Sequence, residues 1–187
     1  FIEAIGPERT IVIDSKEPLN ITAALIELID QNPIGKSSRS NPATYMKAYE
    51  EIRALYAAQP LAKARGYRSG YFSFNTEGGR CEHCQGEGIV TIGMQFMADL
   101  HLVCDECHGT RFKEDTLEIT YHDINVSQVL EMSVDEAIKV CKDISIVSRR
   151  LNVLHDLGLG YLTLGEETPS LSGGEAHRLK LASEMGR

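Results

Sequence analysis

Apolar and polar positions repeat with two different periods along this chain, and the changes of period mark its elements. Tyr45, Tyr49, Ile52 and Tyr56 recur near 3.6-residue spacing, which predicts one helix from Asn41-Pro42 to about Ala58. Asn41 can cap it and Pro42 suits its first turn. Pro60 to Arg65 reads as a short helix stopped at Gly66. Val126 to Met132 reads as another. Ser133-Val134-Asp135-Glu136 carries the S-x-x-E capping pattern and opens a helix to about Cys141. Ile146 to Leu157 places Val147, Leu151, Leu154 and Leu157 on one face, and Gly158 ends it. After a glycine-rich turn, Ser172 to Met185 reads as a last helix. Strand-like stretches are Thr10 to Ile13, Tyr71 to Asn75 and Leu117 to Tyr121. Ile89 to Phe96 and Leu100 to Val103 predict a hairpin around Ala98-Asp99. Residues 22–30 fit a short helix or a buried strand equally well, and residues 31–41 read as a loop. The sum is an α+β fold, mostly helical, with a β-hairpin module inserted.

The length of 187 residues allows one domain or two small ones, with a real core. No apolar run approaches the ~20 residues of a membrane span, so no membrane partner is expected. No signal peptide is visible, which makes a cytoplasmic location the expectation. The chain lacks an initiator Met and its final helix runs to the last residues, as an excised piece of a longer protein would show.

Nineteen Lys and Arg against twenty-seven Asp and Glu give a net charge of −8, which argues against a general nucleic-acid coat protein. The charge is unevenly spread. Residues 36–80 hold eight basic and three acidic side chains, so this segment is +5 and the remainder −13. A basic block in an acidic chain suggests a face for an anionic partner; an ordinary solvated helical face fits as well.

Five cysteines stand at positions 81, 84, 104, 107 and 141. Cys81, Cys84, Cys104 and Cys107 form two C-x-x-C pairs separated by nineteen residues, a spacing typical of zinc sites. Thiolates suit zinc, four of them close its coordination, and a closed site holds shape and performs no chemistry. Gly86, Gly88 and Gly109 let the chain turn after each knuckle. His83, His101 and His108 are then not needed as ligands, and Cys141 reads as core. A redox pair is the lesser reading. Met94, Phe96 and Met97 near the hairpin tip read as core, with an apolar tip that contacts a partner as the alternative.

Gly35-Lys36-Ser37 imitates the end of a phosphate-binding loop, but Asp30 stands where its first glycine is required, so the motif is rejected. Leu171-Ser172-Gly173-Gly174-Glu175 sits where a turn becomes a helix. There the serine hydroxyl and the first free N–H groups form an anion site suited to a nucleotide phosphate. Read as pattern alone, it is also an ordinary helix start.

L-S-G-G-E at 171–175 resembles the signature motif of ABC-type ATPases. Asp30 to Gly35 with Arg39 to Tyr45, Ala62 to Tyr67, Phe72 to Asn75, Gly78 to Cys81, Cys84 to Gly86 and Gly158 to Tyr161 are similar, in the same order, to the UvrA family. The family comprises the damage-recognising ATPase subunits of bacterial nucleotide-excision repair. The resemblance covers roughly residues 28–187. It implies that Gln31 is the Q-loop glutamine that senses nucleotide and magnesium. It implies that Ser172, Gly173, Gly174 and Glu175 reach ATP held by a different nucleotide-binding core. It implies a structural zinc on Cys81, Cys84, Cys104 and Cys107, with ATP and Mg²⁺ as ligands of the full-length parent. Lys36, Arg39, Lys63, Arg65, Arg68 and Arg80 become candidates for sequence-independent contacts to DNA phosphates. The implied partners are damaged double-stranded DNA, a second copy in a UvrA homodimer, and a UvrB-like subunit.

His177 departs from the glutamine usual in the family. The segments that would bind the β- and γ-phosphates and place magnesium are missing, so this chain alone is expected not to hydrolyse ATP. The domain expectation is a partial nucleotide-binding-core segment at 1–35, a basic helical part at 36–77, a zinc module at 78–115, and a helical part at 116–187 ending in the signature helix. C-E-H-C-Q-G-E-G at 81–88 also fits the repeat of DnaJ-like co-chaperones, so a chaperone-type or protein-interaction zinc ribbon is the rival reading.

Overall fold

The computed structural model describes residues 34, 37, 39–94 and 98–186, together with the backbone of 2–5 and 10–13. The ambiguous segment 22–30, Gln31 and Lys36 lie outside the described residues, as do Phe96 and Met97.

Strands β1 (Ile2–Ile5) and β2 (Thr10–Ile13) pair antiparallel, Ile2 opposite Ile13, which bears out the strand expected at 10–13. The helix expected from Asn41 to Ala58 is divided into α1 (Pro42–Tyr45) and α2 (Ala48–Ala57). Asn41 caps α1 as expected, its Oδ1 accepting from the Thr44 N–H at 2.9 Å. The division falls at Lys47, whose φ of 56° lies in the left-handed region. That conformation costs a non-glycine residue roughly 1–2 kcal/mol, and no apolar periodicity announces it. The short helix α3 (Pro60–Arg65) ends at Gly66 with φ of 72°, as expected.

Two strand expectations are corrected. Tyr71 to Asn75 is not a strand: Ser69–Phe72 forms a 3₁₀ turn. Its alternation instead places Phe72 and Phe74 in the core, both fully buried, against Tyr56 and Tyr49 of α2 at ring separations of 5.8 and 5.2 Å. Leu117 to Tyr121 splits into the end of α4 (Glu114–Leu117) and the two-residue strand β5 (Thr120–Tyr121), paired with β6 (Ile124–Asn125).

The helical expectations for the second half hold. α5 (Val126–Glu131), α6 (Val134–Val140), α7 (Ser145–Asp156) and α8 (Gly173–Met185) follow in order. Ser133 and Glu136 form the expected capping box on α6. α7 is the central helix, packed on α2, α6 and α8. Val147, Leu151 and Leu154 of α7 are fully buried with Ile52 and Tyr56 of α2, Ala137 of α6 and Leu179 of α8. Each such large side chain contributes roughly 1.5–3 kcal/mol through burial. Cys141 is buried in the same core, as expected, and burial pushes its thiol up to about 11.

The loop before α8 is stitched down by backbone bonds. Leu162 O accepts from Val134 N–H at 2.9 Å, Gly160 O from Asp135 N–H at 3.0 Å, and Leu164 O from Ala43 N–H at 3.1 Å. This fixes where α8 begins relative to α1 and α6.

Candidate metal centre and glycine-led helix

The zinc-type module spans two knuckles and the hairpin between them. β3 (Ile89–Ile92) and β4 (Leu100–Val103) pair antiparallel with Val90 opposite Leu102. The first strand is therefore shorter than the Ile89 to Phe96 expected. The knuckles fold alike. Gln85 and Gly86 after Cys84 have φ of 52° and 84°, and His108 and Gly109 after Cys107 have φ of 50° and 86°. In each, an N–H two residues beyond the second cysteine or nearer turns back toward the knuckle: Gly86 N–H donates to Cys81 O at 3.1 Å, and His108 N–H to Cys104 O at 2.8 Å. Gly86 is held by more than φ. A Cβ there would lie 2.0 Å from the Phe74 carbonyl oxygen, so only glycine lets the knuckle seat against the helical body.

All four sulfurs lie within 4.8 Å of one another, and all four cysteines are buried. Cys81 Sγ is 3.9 Å from Cys104 Sγ, and Cys84 Sγ is 3.6 Å from Cys107 Sγ. A regular tetrahedron with zinc–sulfur bonds of ~2.3 Å has sulfur–sulfur edges of about 3.8 Å, so the thiols already stand at the spacing such an ion needs. Gly88 N–H donates to Cys84 Sγ at 3.2 Å. Burial pushes the Cys107 thiol up to about 12 and raises Cys81. Burial acts upward on Cys104 too, but the N–H groups of Cys107 and Glu106 and the neighbouring thiols bring it down to about 7.

The histidines stay outside this set as expected. His101 Nδ1 lies 3.0 Å from Thr91 Oγ1 across the hairpin. His83, Cys104 and Asp105 also fall within 4.8 Å of one another, but His83 and Asp105 are exposed and Cys104 belongs to the four-sulfur set. The hairpin is less buried than expected. Met94 is 40% exposed, with Ile92, Leu100 and Leu102 at 46, 43 and 45%, so Met94 is not core.

At the other site, Ser172 caps α8 in a closed box. Glu175 N–H donates to Ser172 Oγ at 3.4 Å, and Ser172 N–H and Oγ each donate to Glu175 Oε2 at 2.7 Å. The Tyr161 hydroxyl donates to the other carboxylate oxygen. Those bonds, Tyr161 first and then Ser172, hold the Glu175 carboxyl below the usual range. The serine hydroxyl expected to await an anion is therefore engaged by the chain's own carboxylate. Sequence reading missed Tyr161, whose only cue is its place in Gly158-Leu159-Gly160-Tyr161. Gly173 and Gly174 have open space where a Cβ would stand, so nothing within this chain requires them to be glycine.

The basic candidates do not form one uniform surface. Arg39 Nε donates to Glu87 Oε1 at 2.7 Å and ties the 37–41 turn to the first knuckle. Arg65 pairs with Glu118 and donates to Asp115 O at 3.1 Å. The Arg80 side chain is 12% exposed and lies 3.5 Å from Glu82 and 3.9 Å from Glu77. Lys63 and Arg68 are exposed. Arg111, also absent from the sequence reading, lies 5.5 Å over the Phe74 ring and helps fasten the module to the body.

No family model matches the chain. Curated relatives do. UvrABC system protein A of Aquifex aeolicus is 52% identical over 159 residues, 85% of this chain. The proteins of the same name from Streptococcus pneumoniae and Bacillus subtilis are 52% and 50% identical over 157 residues, 84% of this chain. The chain spans only about a sixth of the length of these relatives, 17, 17 and 16% respectively. The crystal structure of UvrA2 from Deinococcus radiodurans superposes with a TM-score of 0.80 at 51% identity, covering 85% of this chain and 19% of that one. With half its residues shared across most of its length and the same fold, the chain belongs to the UvrA family.

Proposed function

We propose that this chain is a working part of a UvrA-type ABC ATPase that recognises damaged DNA in nucleotide-excision repair. One observation carries the reading. A chain half identical to UvrABC system protein A brings a four-cysteine cluster and a capped, glycine-led helix onto one helical body. On this reading residues 78–115 form the zinc module and residues 36–77 and 116–187 the signature domain around it. Cys81, Cys84, Cys104 and Cys107 hold one structural zinc. When bound, that ion supplies cross-linking and charge balance. The chain contributes the turns, the Gly88 N–H and the burial that keep the four sulfurs together.

Ser172, Gly173, Gly174 and Glu175 meet the phosphates of ATP held by another nucleotide-binding core, and the open space at the two glycines suits that close approach. Gln31 senses the nucleotide and its Mg²⁺. Lys63 and Arg68, with Arg65 beside them, contact the DNA backbone; Lys36, Arg39 and Arg80 are secondary. The homodimer and the UvrB-like subunit are partners of the complete protein. The chain alone does not turn over ATP, because no phosphate-binding loop is in its sequence.

The exposed apolar hairpin supports a second reading for the module by itself, as a protein-interaction element. Duplex DNA binding across a salt series separates the two. DNA contact predicts affinity that falls steeply with salt and is lost in the triple variant Lys63→Glu, Arg65→Glu, Arg68→Glu. Zinc retained without salt-dependent DNA binding refutes DNA contact by this part and selects the interaction reading.

A further inference from the structure

A small cavity of about 150 Å³ lies where the α1–α2 break meets α7 and the last turn of α8. It is lined by Met46, Lys47, Arg149, Arg150, Ser183 and Gly186. Three of the six are cations from segments a hundred residues apart, and no carboxylate is among the lining residues. None of the three makes an ion pair within 4 Å among the described residues. The left-handed φ of 56° at Lys47 turns the chain here, and Arg150 Nη1 donates to the Lys47 carbonyl oxygen at 2.6 Å. That bond fixes one guanidinium at the rim and leaves its other N–H groups for a ligand.

Interaction with the negative end of the α8 dipole accounts for one cation in this place. It does not account for three around one cavity in a chain of net charge −8. Like charges gathered without counter-charges are relieved by a bound anion. The cavity is well below the ~300–1,000 Å³ of a small-molecule pocket, so it suits one charged group and not a whole nucleotide.

We propose that Lys47, Arg149 and Arg150 form a binding site for a single phosphate group, supplied by a nucleic-acid backbone or by a free phosphate or nucleotide. Arg149 and Arg150 provide planar donors that match phosphate oxygens, and Lys47 adds a point charge. None of the residues lining this cavity belongs to the four-cysteine cluster, to the start of α8 or to the DNA candidates already named, so the proposal does not rest on the repair reading.

The test compares wild type with the double variant Lys47→Gln, Arg149→Gln and with a control of equal charge change on exposed residues, Lys139→Gln, Lys142→Gln. Circular dichroism checks the fold, and Arg149→Lys is the conservative partner. Each protein is titrated with inorganic phosphate, with ATP and with duplex DNA at several salt concentrations. The proposal expects the double variant to lose at least about tenfold in affinity for one of these ligands, with the control near wild type and Arg149→Lys between. If the ligand is DNA, the slope of log K against log salt falls by about 0.9, the contribution of one phosphate. If only phosphate or ATP responds, the source is a free phosphate. Equal losses in the double variant and the control, or no binding of any of the three by wild type, overturn the site. Binding of all three ligands that survives in the double variant, with DNA binding lost only in the Lys63, Arg65, Arg68 variant, leaves the repair reading intact and removes this site alone.

Discussion

The two glycine-bearing sites of this molecule differ in what their glycines touch. At the knuckles, Gly86 has a φ of 84° and a carbonyl oxygen 2.0 Å from where its Cβ would be. At the start of α8, Gly173 and Gly174 meet nothing within 4 Å. The first glycine is required by this chain's own packing. The second pair is not, which is what a surface shaped for another molecule looks like from one side. On the proposed reading the four sulfurs form a site complete within the chain, and the start of α8 forms half of one.

The largest expected effect breaks the complete site. Cys104→Ser should abolish stoichiometric zinc and melt the segment from Gly78 to Lys113, because structural zinc contributes on the order of 10–16 kcal/mol to folding such modules. Metal analysis and proteolysis of the module report it; a variant that keeps full zinc and resistance would contradict the ligand set. The body built on α7 should persist, since all of its core residues except Phe112 lie outside that segment, in a buried cluster separate from the cysteines.

Next comes the direct contrast of glycines. Gly86→Ala should destabilise by about 2–4 kcal/mol, combining left-handed strain with a clash against backbone that has no rotamer to yield. Gly174→Ala should leave stability unchanged or raise it by up to about 1 kcal/mol, since alanine favours a helix interior. Thermal melts decide this. Equal losses at both positions would erase the distinction between the sites.

Ser172→Ala should cost about 1 kcal/mol through the lost cap. The smallest effect is electrostatic. The Glu175 carboxyl is held below its ordinary range by Tyr161 and Ser172. A depressed folded value means the stabilisation is present above the unfolded carboxyl value near 4.5 and is lost as pH falls through the folded one. The melting difference between wild type and Glu175→Gln should therefore be seen at neutral pH and vanish in strong acid. A difference that grows in acid would contradict the assignment.

How much could be read beforehand follows the same division. The cysteine spacing, the capping box at Ser133 and the helix start at Ser172 are local signals, a few residues long, and the folded chain realises each one. Features that depend on distant residues were not legible. Phe72 and Phe74 alternate because two aromatic rings enter the core beside α2, with no neighbouring strand to pair. The pairing of Arg65 with Glu118 joins residues 53 apart in the chain, and nothing near Arg65 in the sequence announces it. The turn at Lys47 carries no glycine or proline to mark it. The cavity beside it exists only once α1, α7 and α8 have come together.

X-ray absorption at the zinc edge of the purified chain, with metal content measured on the same sample, tests the central claim most directly. The account predicts one zinc per chain, bound by four sulfurs at about 2.3 Å, and no change on His83→Ala. Zinc well below one equivalent, or a shell containing nitrogen that disappears with His83→Ala, would contradict a site completed by Cys81, Cys84, Cys104 and Cys107.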